Sequence, residues 1–374
     1  MVLWILFMAM AFLASAAGLW FLIGGAHRFR TVALLSRENA KARWVLSAAV
    51  VLLPLAGFWM AWGAVNALLI ALHLAVFGLV AYAVRRLIRK LRGKDFRFSW
   101  TGGVAVVLTA VYLTVGYTQA YGVRRTSYTI LTDKEVGHLR VALLADSHVG
   151  TTFDGAGLAR HLASIQAQEP DVLVISGDFV DESTSREDMI AACRALGEVT
   201  FPYGIYYVFG NHDKGNYGTR RGYTGEDLAR ELTANGVTVL QDEVAWIGEN
   251  DGFALIGRQD ASEERDFGGS RASMETLTRD LDRSRFSIVL DHQPRDYEAQ
   301  AAAGVDLVLS GHTHGGQMIP MVQLMRYFGG NDSVYGYEKR DGTQFVVTSG
   351  ISDWAIKFKT GCFSEYVILD IRGK

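Results

Sequence analysis

The chain has 374 residues, of which 49% are hydrophobic and 20% charged, and its formal net charge is −2. This length favours two or three structural units, and the apolar content excludes a disordered chain. The charge is divided unequally: residues 1–121 contain 12 Lys/Arg and 2 Asp/Glu, whereas the remaining residues contain 25 and 37. Because an acidic domain repels a phosphate backbone, sequence-independent binding of nucleic acid by the downstream part is not expected.

The first third of the chain is predicted to be an α-helical membrane anchor. Residues 2–25 carry no charge, and about 20 apolar residues suffice to cross a bilayer. No Lys or Arg precedes this stretch and it is too long for a signal peptide, so we expect a retained helix. The uncharged residues 44–84 would make roughly 61 Å of helix, which predicts two helices that turn near residues 63–66. Residues 99–121 complete an anchor of four transmembrane helices over residues 1–121.

Basic residues give the expected orientation of this anchor. They are concentrated in the connections after the first and third predicted helices and absent from the turn between the second and third. The positive-inside rule places both basic connections in the cytoplasm. We therefore expect an integral protein of the cell (inner) membrane, with everything from about residue 122 in an extracytoplasmic, periplasmic location.

Downstream of a predicted linker at residues 122–137, residues 138–374 alternate short apolar runs with amphipathic stretches, which is typical of an α/β domain. The predicted strands are residues 139–145, 172–176, 204–209, 253–256, 286–290, 307–310, 344–348 and 366–371, and the predicted helices are residues 157–168, 186–196, 225–235 and about 271–283. The two cysteines, Cys193 and Cys362, exclude a disulfide scaffold. A single bridge between them and a pair of free thiols are both open.

Polar clusters follow five of the predicted strands. They are Asp146 with His148, Asp178 with Asp181, Asn211 with His212 and Asp213, His292, and His312 with His314. Ligands bind at the carboxyl ends of strands in open α/β sheets, so we expect these side chains to converge. Imidazole and carboxylate donors without cysteine suit Mn, Fe, Zn or Co. Two metals about 3.5–4 Å apart that share a carboxylate would polarise a phosphoryl group and activate water.

The ordered series D-x-H, GD-x-x-D, GNHD, lone His and GH-x-H resembles the calcineurin-like metallophosphoesterase superfamily. With the apolar first third, the chain is similar to its membrane-anchored branch, the transmembrane proteins with a metallophosphoesterase domain. The resemblance implies a domain of two mixed β-sheets sandwiched between helices. It implies two divalent metal ions, with Mn²⁺ expected and Fe or Zn as alternatives. One ion would be held by Asp146, His148, Asp178 and His314, and the other by Asp178, Asn211, His292 and His312.

The resemblance also implies roles for residues that do not bind metal. His212 would be catalytic and would contact the phosphoryl or leaving-group oxygen, with Asp213 orienting its ring. Asp181 resembles a carboxylate that supports a metal ligand.

Two segments beside the motifs are candidate substrate contacts. The loop at residues 214–225 offers cations for a second phosphate or a sugar, although a solvated loop explains it equally well. The apolar segment at residues 316–330 would contact an acyl or prenyl chain or the membrane interface, or it would pack in the core. The candidate residues are Lys214, Arg220, Arg221, Met318, Met321, Tyr327 and Phe328.

Together these features predict a metal-dependent phosphoric ester hydrolase, a phosphatase or phosphodiesterase at the outer membrane face. Its substrate would be a phosphate ester, phosphodiester or diphosphate on a lipid-linked or envelope molecule. One alternative is a general phosphodiesterase that is merely tethered. A second is a UDP-diacylglucosamine pyrophosphatase-like enzyme with a cytoplasmic active site. The complete ligand set argues against a non-enzymatic scaffold.

Overall fold

The structure is a computed structural model that describes residues 2–37, 39–94, 100–218, 221–249, 252–328 and 330–373. The chain divides into two compact units. The first contains Met1–Tyr117 with Ala355–Lys357, and the second contains Thr118–Trp354 with Phe358–Lys374.

The first unit is helical. Its helices are α1 (Val2–Ala26), α2 (Arg30–Leu35), α3 (Ala40–Arg92) and α4 (Thr101–Tyr121). Among the described residues, α3 and α4 are long and apolar enough to cross a membrane, and the described part of α1 is a shorter apolar helix. Two such helices are therefore found where four spans were predicted.

Helix α3 is interrupted at Gly63, whose φ of 83° and ψ of 165° are readily adopted by glycine alone. Before this break, Trp44 stacks on Trp20 with ring centroids 5.4 Å apart. After it, a methyl group placed on Gly78 would lie 3.0 Å from the Phe21 ring. Both arms of α3 thus contact the same part of α1. The chain changes direction at Gly63, where the sequence predicted a turn.

The second unit contains two six-stranded sheets. In chain order the strands are β1 (Arg124–Leu131), β2 (His138–Leu144), β3 (Val172–Ser176), β4 (Ile205–Val208), β5 (Val237–Val239), β6 (Glu243–Ile247), β7 (Phe253–Gly257), β8 (Phe286–Leu290), β9 (Leu307–Ser310), β10 (Gly336–Arg340), β11 (Thr343–Val347) and β12 (Glu365–Arg372). The helices are α5 (Gly155–Gln166), α6 (Arg186–Gly197), α7 (Gly225–Ala234), α8 (Ala261–Arg265), α9 (Met274–Leu277), α10 (Tyr297–Ala302) and α11 (Met321–Phe328).

Both sheets are mixed, as predicted. The first has the order β1-β12-β2-β3-β4-β5, and β12 runs antiparallel to β2 while β2 to β5 are parallel. The second has the order β10-β11-β9-β8-β7-β6, with antiparallel pairs at both edges and parallel pairs between them. Several strands between the edges are fully buried runs, such as VLVIS in β3 and FSIVL in β8, which is typical of sheets covered on both faces.

The hydrophobic core has three layers. Side chains from both sheets, including Leu143, Val174, Ile288 and Leu309, form one buried cluster, so the sheets pack face to face. A second cluster lies between the first sheet and helices α5, α6 and α7, and a third between the second sheet and helices α9 and α10. The predicted α/β domain of two sheets between helices is confirmed.

Several local predictions differ from the structure. The predicted linker at residues 122–137 contains β1, which pairs with β12 in parallel. Strands β5, β6 and β10 were not predicted, and the helix expected at about 271–283 is limited to α9. Cys193 and Cys362 are both buried free thiols, so of the two open alternatives the unbridged one is found.

The parallel strands end together at one edge. Leu144 pairs with Ile175 in the first sheet, and Leu290 pairs with Leu309 in the second. The Ser176 hydroxyl at the end of β3 donates a hydrogen bond of 3.1 Å to the Leu309 carbonyl, which links the sheets at this edge. The loops that follow β2, β3, β4, β8 and β9 therefore meet.

Candidate metal centre

Two groups of potential metal ligands lie at this edge, and all of their residues are buried except His312, which is partly buried. In each group, one atom from every member lies within 4.8 Å of the others. The first group is Asp146, His148 and His314, and the second is Asp178, His292 and His312. The loops after strands of both sheets contribute to each group, so the centre depends on the packing of the two sheets.

The Asp178 carboxylate faces both groups. Its Oδ2 lies 3.0 Å from Nε2 of His292 and 3.8 Å from Nε2 of His148. One carboxylate oxygen is thus placed between imidazoles that belong to different groups. This is the position of a ligand shared by two metals about 3.5–4 Å apart.

Three ligand imidazoles have a polar atom facing Nδ1, which leaves Nε2 for a metal. These atoms are Ser176 O for His292 (2.7 Å), Ser352 O for His314 (3.3 Å) and Asp181 Oδ2 for His148 (3.5 Å). Nε2 of His148 and Oδ1 of Asn211 are buried without a hydrogen-bond partner in the described part of the chain. Buried polar atoms are rarely left unpaired. The donor set therefore fits two divalent cations.

The ligand residues have an unusual backbone. Five of them have positive φ angles, a region that costs of order 1–3 kcal/mol per residue outside glycine. They are Asp146 (54°), His148 (37°), Asp178 (50°), His312 (74°) and His314 (48°). The motif glycines leave the necessary space, because a methyl group on Gly210 would lie 2.2 Å from Oδ1 of Asp178. The glycine in GNHD is thus required by close packing.

The two central carboxylates are perturbed in opposite directions. Burial, followed by repulsion from Asp178, raises the pKa of Asp146 to about 6, although His292 and His148 lower it. Burial also acts to raise the pKa of Asp178, but attraction to His292 and His212 lowers it well below its usual range. Cations at this point would stabilise both charged carboxylates.

A buried ion pair that the sequence did not indicate supports His314. Oδ1 of Asp353 lies 2.9 Å from Nζ of Lys359 and 3.8 Å from Nδ1 of His314. Asp353 and Lys359 are fully buried. A carboxylate behind a ligand imidazole fixes its orientation. Both residues follow the last motif by about forty positions, and no local pattern marks them.

His212 is held by Glu182, which the sequence also did not indicate. Nδ1 of His212 lies 2.9 Å from Oε1 and 3.0 Å from Oε2 of Glu182. Burial lowers the pKa of His212, but attraction to Asp178 and the hydrogen bond to Glu182 outweigh it, so the pKa is raised to about 9. The imidazole is therefore oriented with Nε2 available for a substrate.

The predicted role of Asp213 as the residue that orients His212 is wrong. Its carboxylate instead accepts hydrogen bonds from three backbone N–H groups, those of Gly210 (2.7 Å), Asp178 (2.7 Å) and Val180 (3.0 Å). Asp213 thus holds together the loops after β3 and β4. The carboxylate beside the His212 imidazole is that of Glu182, which lies on the loop after β3.

The candidate cations of the 214–225 loop have partners within the protein. Nζ of Lys214 lies 3.0 Å from Glu263. Arg221 is buried, stacks on Tyr223 and donates to the carbonyls of His212 and Asp213. These contacts give both side chains a structural role, and substrate binding by them stays a prediction. Arg220 lies outside the described residues.

The apolar candidates divide between core and surface. Met318 is buried and Met321 is partly buried, whereas Tyr327 is 82% exposed. The side chain of Phe328 lies outside the part of the chain that is described. Helix α11 packs against the turn that carries His314, since a methyl group on Gly316 would lie 2.6 Å from Cα of Val322.

The comparisons with known proteins agree with this geometry. The sequence profile of the calcineurin-like phosphoesterases matches residues 139–316. An uncharacterized metallophosphoesterase of Bacillus subtilis, YkuE, is 30% identical over 235 residues, which cover 60% of this chain and 79% of that protein. This chain belongs to the calcineurin-like metallophosphoesterases.

Other relatives of this metallophosphoesterase include longer proteins. The uncharacterized metallophosphoesterase Cj0846 of Campylobacter jejuni is 30% identical over 63% of this chain and 60% of its own length. A Danio rerio protein described as a transmembrane protein with metallophosphoesterase domain is 30% identical over 61% of this chain and 52% of its own length. The matches thus span about half to two thirds of these curated relatives.

The shared position of Asp178 predicts a specific loss of metal. Asp178→Ala removes a donor from both groups, so bound metal should fall from about two ions per chain to less than one. Asn211→Ala should remove no more than one ion, because Asn211 would serve one site. The measurement is metal content by plasma mass spectrometry after dialysis against Mn²⁺, with the exposed Asp280→Ala as control. Retention of two ions by Asp178→Ala would contradict the shared position.

The hydrogen bond between Glu182 and His212 predicts an effect on turnover. Glu182→Ala frees the imidazole to rotate, and loss of such a supporting partner typically lowers activity about 10- to 100-fold. Steady-state kinetics should show this decrease in kcat at unchanged metal content. Glu187→Ala removes an exposed acid nearby and should leave kcat unchanged. Equal kcat values for the two variants would rule out the positioning role of Glu182.

Proposed function

We propose that this chain is a membrane-anchored phosphoesterase with a dinuclear metal centre. It hydrolyses a phosphate ester, phosphodiester or diphosphate on a lipid-linked or envelope substrate at the outer face of the membrane. The observation that carries this proposal is the Asp178 carboxylate between two buried ligand groups, beside a hydrogen-bonded His212. Membership of the metallophosphoesterase family supports the reaction type.

The proposed cofactor is a pair of Mn²⁺ ions. Carboxylate, amide and imidazole donors without a thiolate suit Mn²⁺, and they also accept Fe or Zn. When bound, such a pair polarises the phosphoryl group and lowers the pKa of water toward neutrality. Asp178 would hold both ions, and the remaining residues of the two groups, with Asn211, would complete the sites.

His212 then serves the leaving group. Its Nδ1 is bonded to Glu182, so Nε2 points to the substrate as the proton donor. A positioned imidazole that protonates the leaving oxygen contributes typically about 10²–10⁴-fold to the rate. The leaving group therefore lies on the His212 side of the centre.

Two exposed aromatic rings lie beside His212. The Tyr217 and Trp354 rings lie 5.1 Å and 5.2 Å from the His212 ring, and these two side chains are 50% and 46% exposed. Ile319 and Leu324, on the segment that packs against the turn of His314, are also exposed apolar side chains. Exposed apolar surface beside a polar catalytic group favours a leaving group with an apolar portion. This supports a lipid-linked substrate.

We further propose that the first unit crosses the membrane four times. The apolar helix α1, the two arms of α3 on either side of Gly63, and α4 would be the spans. The basic connections after the first and third spans would then lie in the cytoplasm and the catalytic domain outside. The Danio rerio relative named as a transmembrane protein supports a membrane anchor.

Hydrolysis assays on the full chain in detergent with Mn²⁺ test the proposed activity. Farnesyl phosphates should be compared with p-nitrophenyl phosphate and bis-p-nitrophenyl phosphate. If the protein contacts only two methylene groups of the farnesyl chain, at ~0.8 kcal/mol each, kcat/KM should be about tenfold higher for the farnesyl phosphates than for the p-nitrophenyl substrates. Asp178→Ala should abolish hydrolysis, whereas Asp280→Ala should not. Equal turnover of all substrates favours a merely tethered phosphodiesterase, and no turnover by the metal-loaded protein favours a scaffold.

Reporter fusions test the proposed orientation. Alkaline phosphatase fused after residue 373 should be active, and green fluorescent protein at the same point should be dark, because the domain is expected outside. Fusions after residue 92 should give the opposite pattern. A fluorescent fusion after residue 373 would place the site in the cytoplasm, as a UDP-diacylglucosamine pyrophosphatase-like activity requires.

A further inference from the structure

Among the described residues, Arg295 is a half-buried cation without a counter-ion. Within the described residues its guanidinium makes no hydrogen bond or ion pair, and its Nε is buried without a partner. Burial and the neighbouring Arg265 lower the pKa of Arg295, yet a guanidinium remains charged in proteins. A buried Nε without a partner is costly, and the Nη groups of the same guanidinium are further donors for a ligand.

The carboxylates near Arg295 are bonded to other groups. Asp266 accepts a hydrogen bond of 2.9 Å from Nε of Arg265, and Asp332 accepts one of 3.0 Å from the Tyr297 N–H. Oδ1 of Asp260 is bonded to Ser262 and Gln293. The second oxygen of Asp260 has no partner in the described part of the chain, and it suits a hydroxyl group or a water molecule. No described carboxylate neutralises Arg295 directly.

Arg295 lies beside the second group of metal ligands. It follows His292 by three residues, and its backbone N–H donates a hydrogen bond of 2.7 Å to the carbonyl of Gln293, the residue next to His292. The backbone of Gly330 borders the guanidinium, since a methyl group there would lie 3.9 Å from Nη1 of Arg295. A cation next to these ligands can reach an anion that is bound at the metal centre.

The same region borders His212. Tyr217, which contacts the His212 ring, also meets the Phe267 ring at 5.3 Å. Asp266, which precedes Phe267, accepts a hydrogen bond from Arg265, and Nη1 of Arg265 lies 3.4 Å from Oε1 of Gln293, next to His292. Arg295 and the proton donor therefore serve the same side of the centre. This is the side on which the leaving group departs.

We propose that Arg295 binds the leaving phosphoryl group, so that the substrate is a diphosphate. This rests on the proposed function and names its substrate class. An alcohol leaving group would leave the guanidinium facing an uncharged molecule, whereas a phosphate accepts its paired N–H groups. Hydroxide from water bonds to the attacked phosphorus, and the bond between that phosphorus and the bridging oxygen breaks. His212 protonates the bridging oxygen, which departs with the second phosphate. His212 regains a proton from water, and the products are two phosphates.

Two substrates that differ by one phosphate test this inference. Arg295→Met should lower kcat/KM for farnesyl diphosphate about 100-fold, because it removes hydrogen bonds between charged groups. For farnesyl monophosphate the same variant should change kcat/KM less than about threefold. Arg295→Lys, which keeps the charge but not the fork, should give an intermediate value. Arg279→Ala removes an exposed arginine elsewhere and should change neither substrate.

A binding measurement separates this inference from the proposed function. Methylenediphosphonate cannot be hydrolysed, and calorimetry on the Mn²⁺-loaded protein should show it binding at least about tenfold more weakly to Arg295→Met. Methylphosphonate should bind both forms equally. This difference in binding is expected even if the wild-type protein hydrolyses no phosphate compound. Absence of hydrolysis would contradict the proposed function but not the binding of a diphosphate by Arg295. Equal losses for both phosphonates, or for both farnesyl substrates, would overturn the diphosphate assignment.

Discussion

The centre depends on one demanding arrangement, the burial of two carboxylates and several imidazoles within a few ångströms of each other. Each charged group loses its hydration there, and only nearby opposite charge restores that free energy. Asp178 reaches imidazoles on loops of both sheets, so its distances are set by how closely the sheets pack. The shared core that contains Leu143 and Ile288 is therefore part of the site's construction.

Backbone strain follows from the same arrangement. Ligand residues with positive φ angles and a glycine that tolerates no side chain bring the loops closer than ordinary turns allow. The Asp213 carboxylate compensates, since it binds three N–H groups of two loops at once. The acid that appeared in sequence to serve catalysis thus stabilises the loops, and the adjacent Glu182 loop supplies the acid for His212.

Sequence predicted the parts of the structure that rest on local patterns. Buried parallel strands such as β3 and β8 are continuous apolar runs, and their predicted bounds are those observed. Strands β1 and β10 are polar edge strands, RRTSYTIL and GYEKR, without the apolar runs that mark β3 and β8. Strand β1 pairs with the distant β12, whereas β10 pairs with β11, the next strand along the chain. Among side chains, ligand candidates stand in short motifs after strands. Asp353 faces His314, which is distant from it in sequence, and Arg295 is marked by a buried Nε without a partner among the described residues. No local motif encodes either feature.

The strand order of the first sheet has a consequence for folding during synthesis. Strand β12 lies between β1 and β2, so the twelfth strand in chain order inserts between the first two. Until residue 372 has left the ribosome, β1 and the edge of β2 lack their common neighbour, and their ladder bonds stay open to water. Contacts between such distant segments form slowly, because a long loop must close first. The first sheet is therefore expected to be completed only after β12 has emerged from the ribosome.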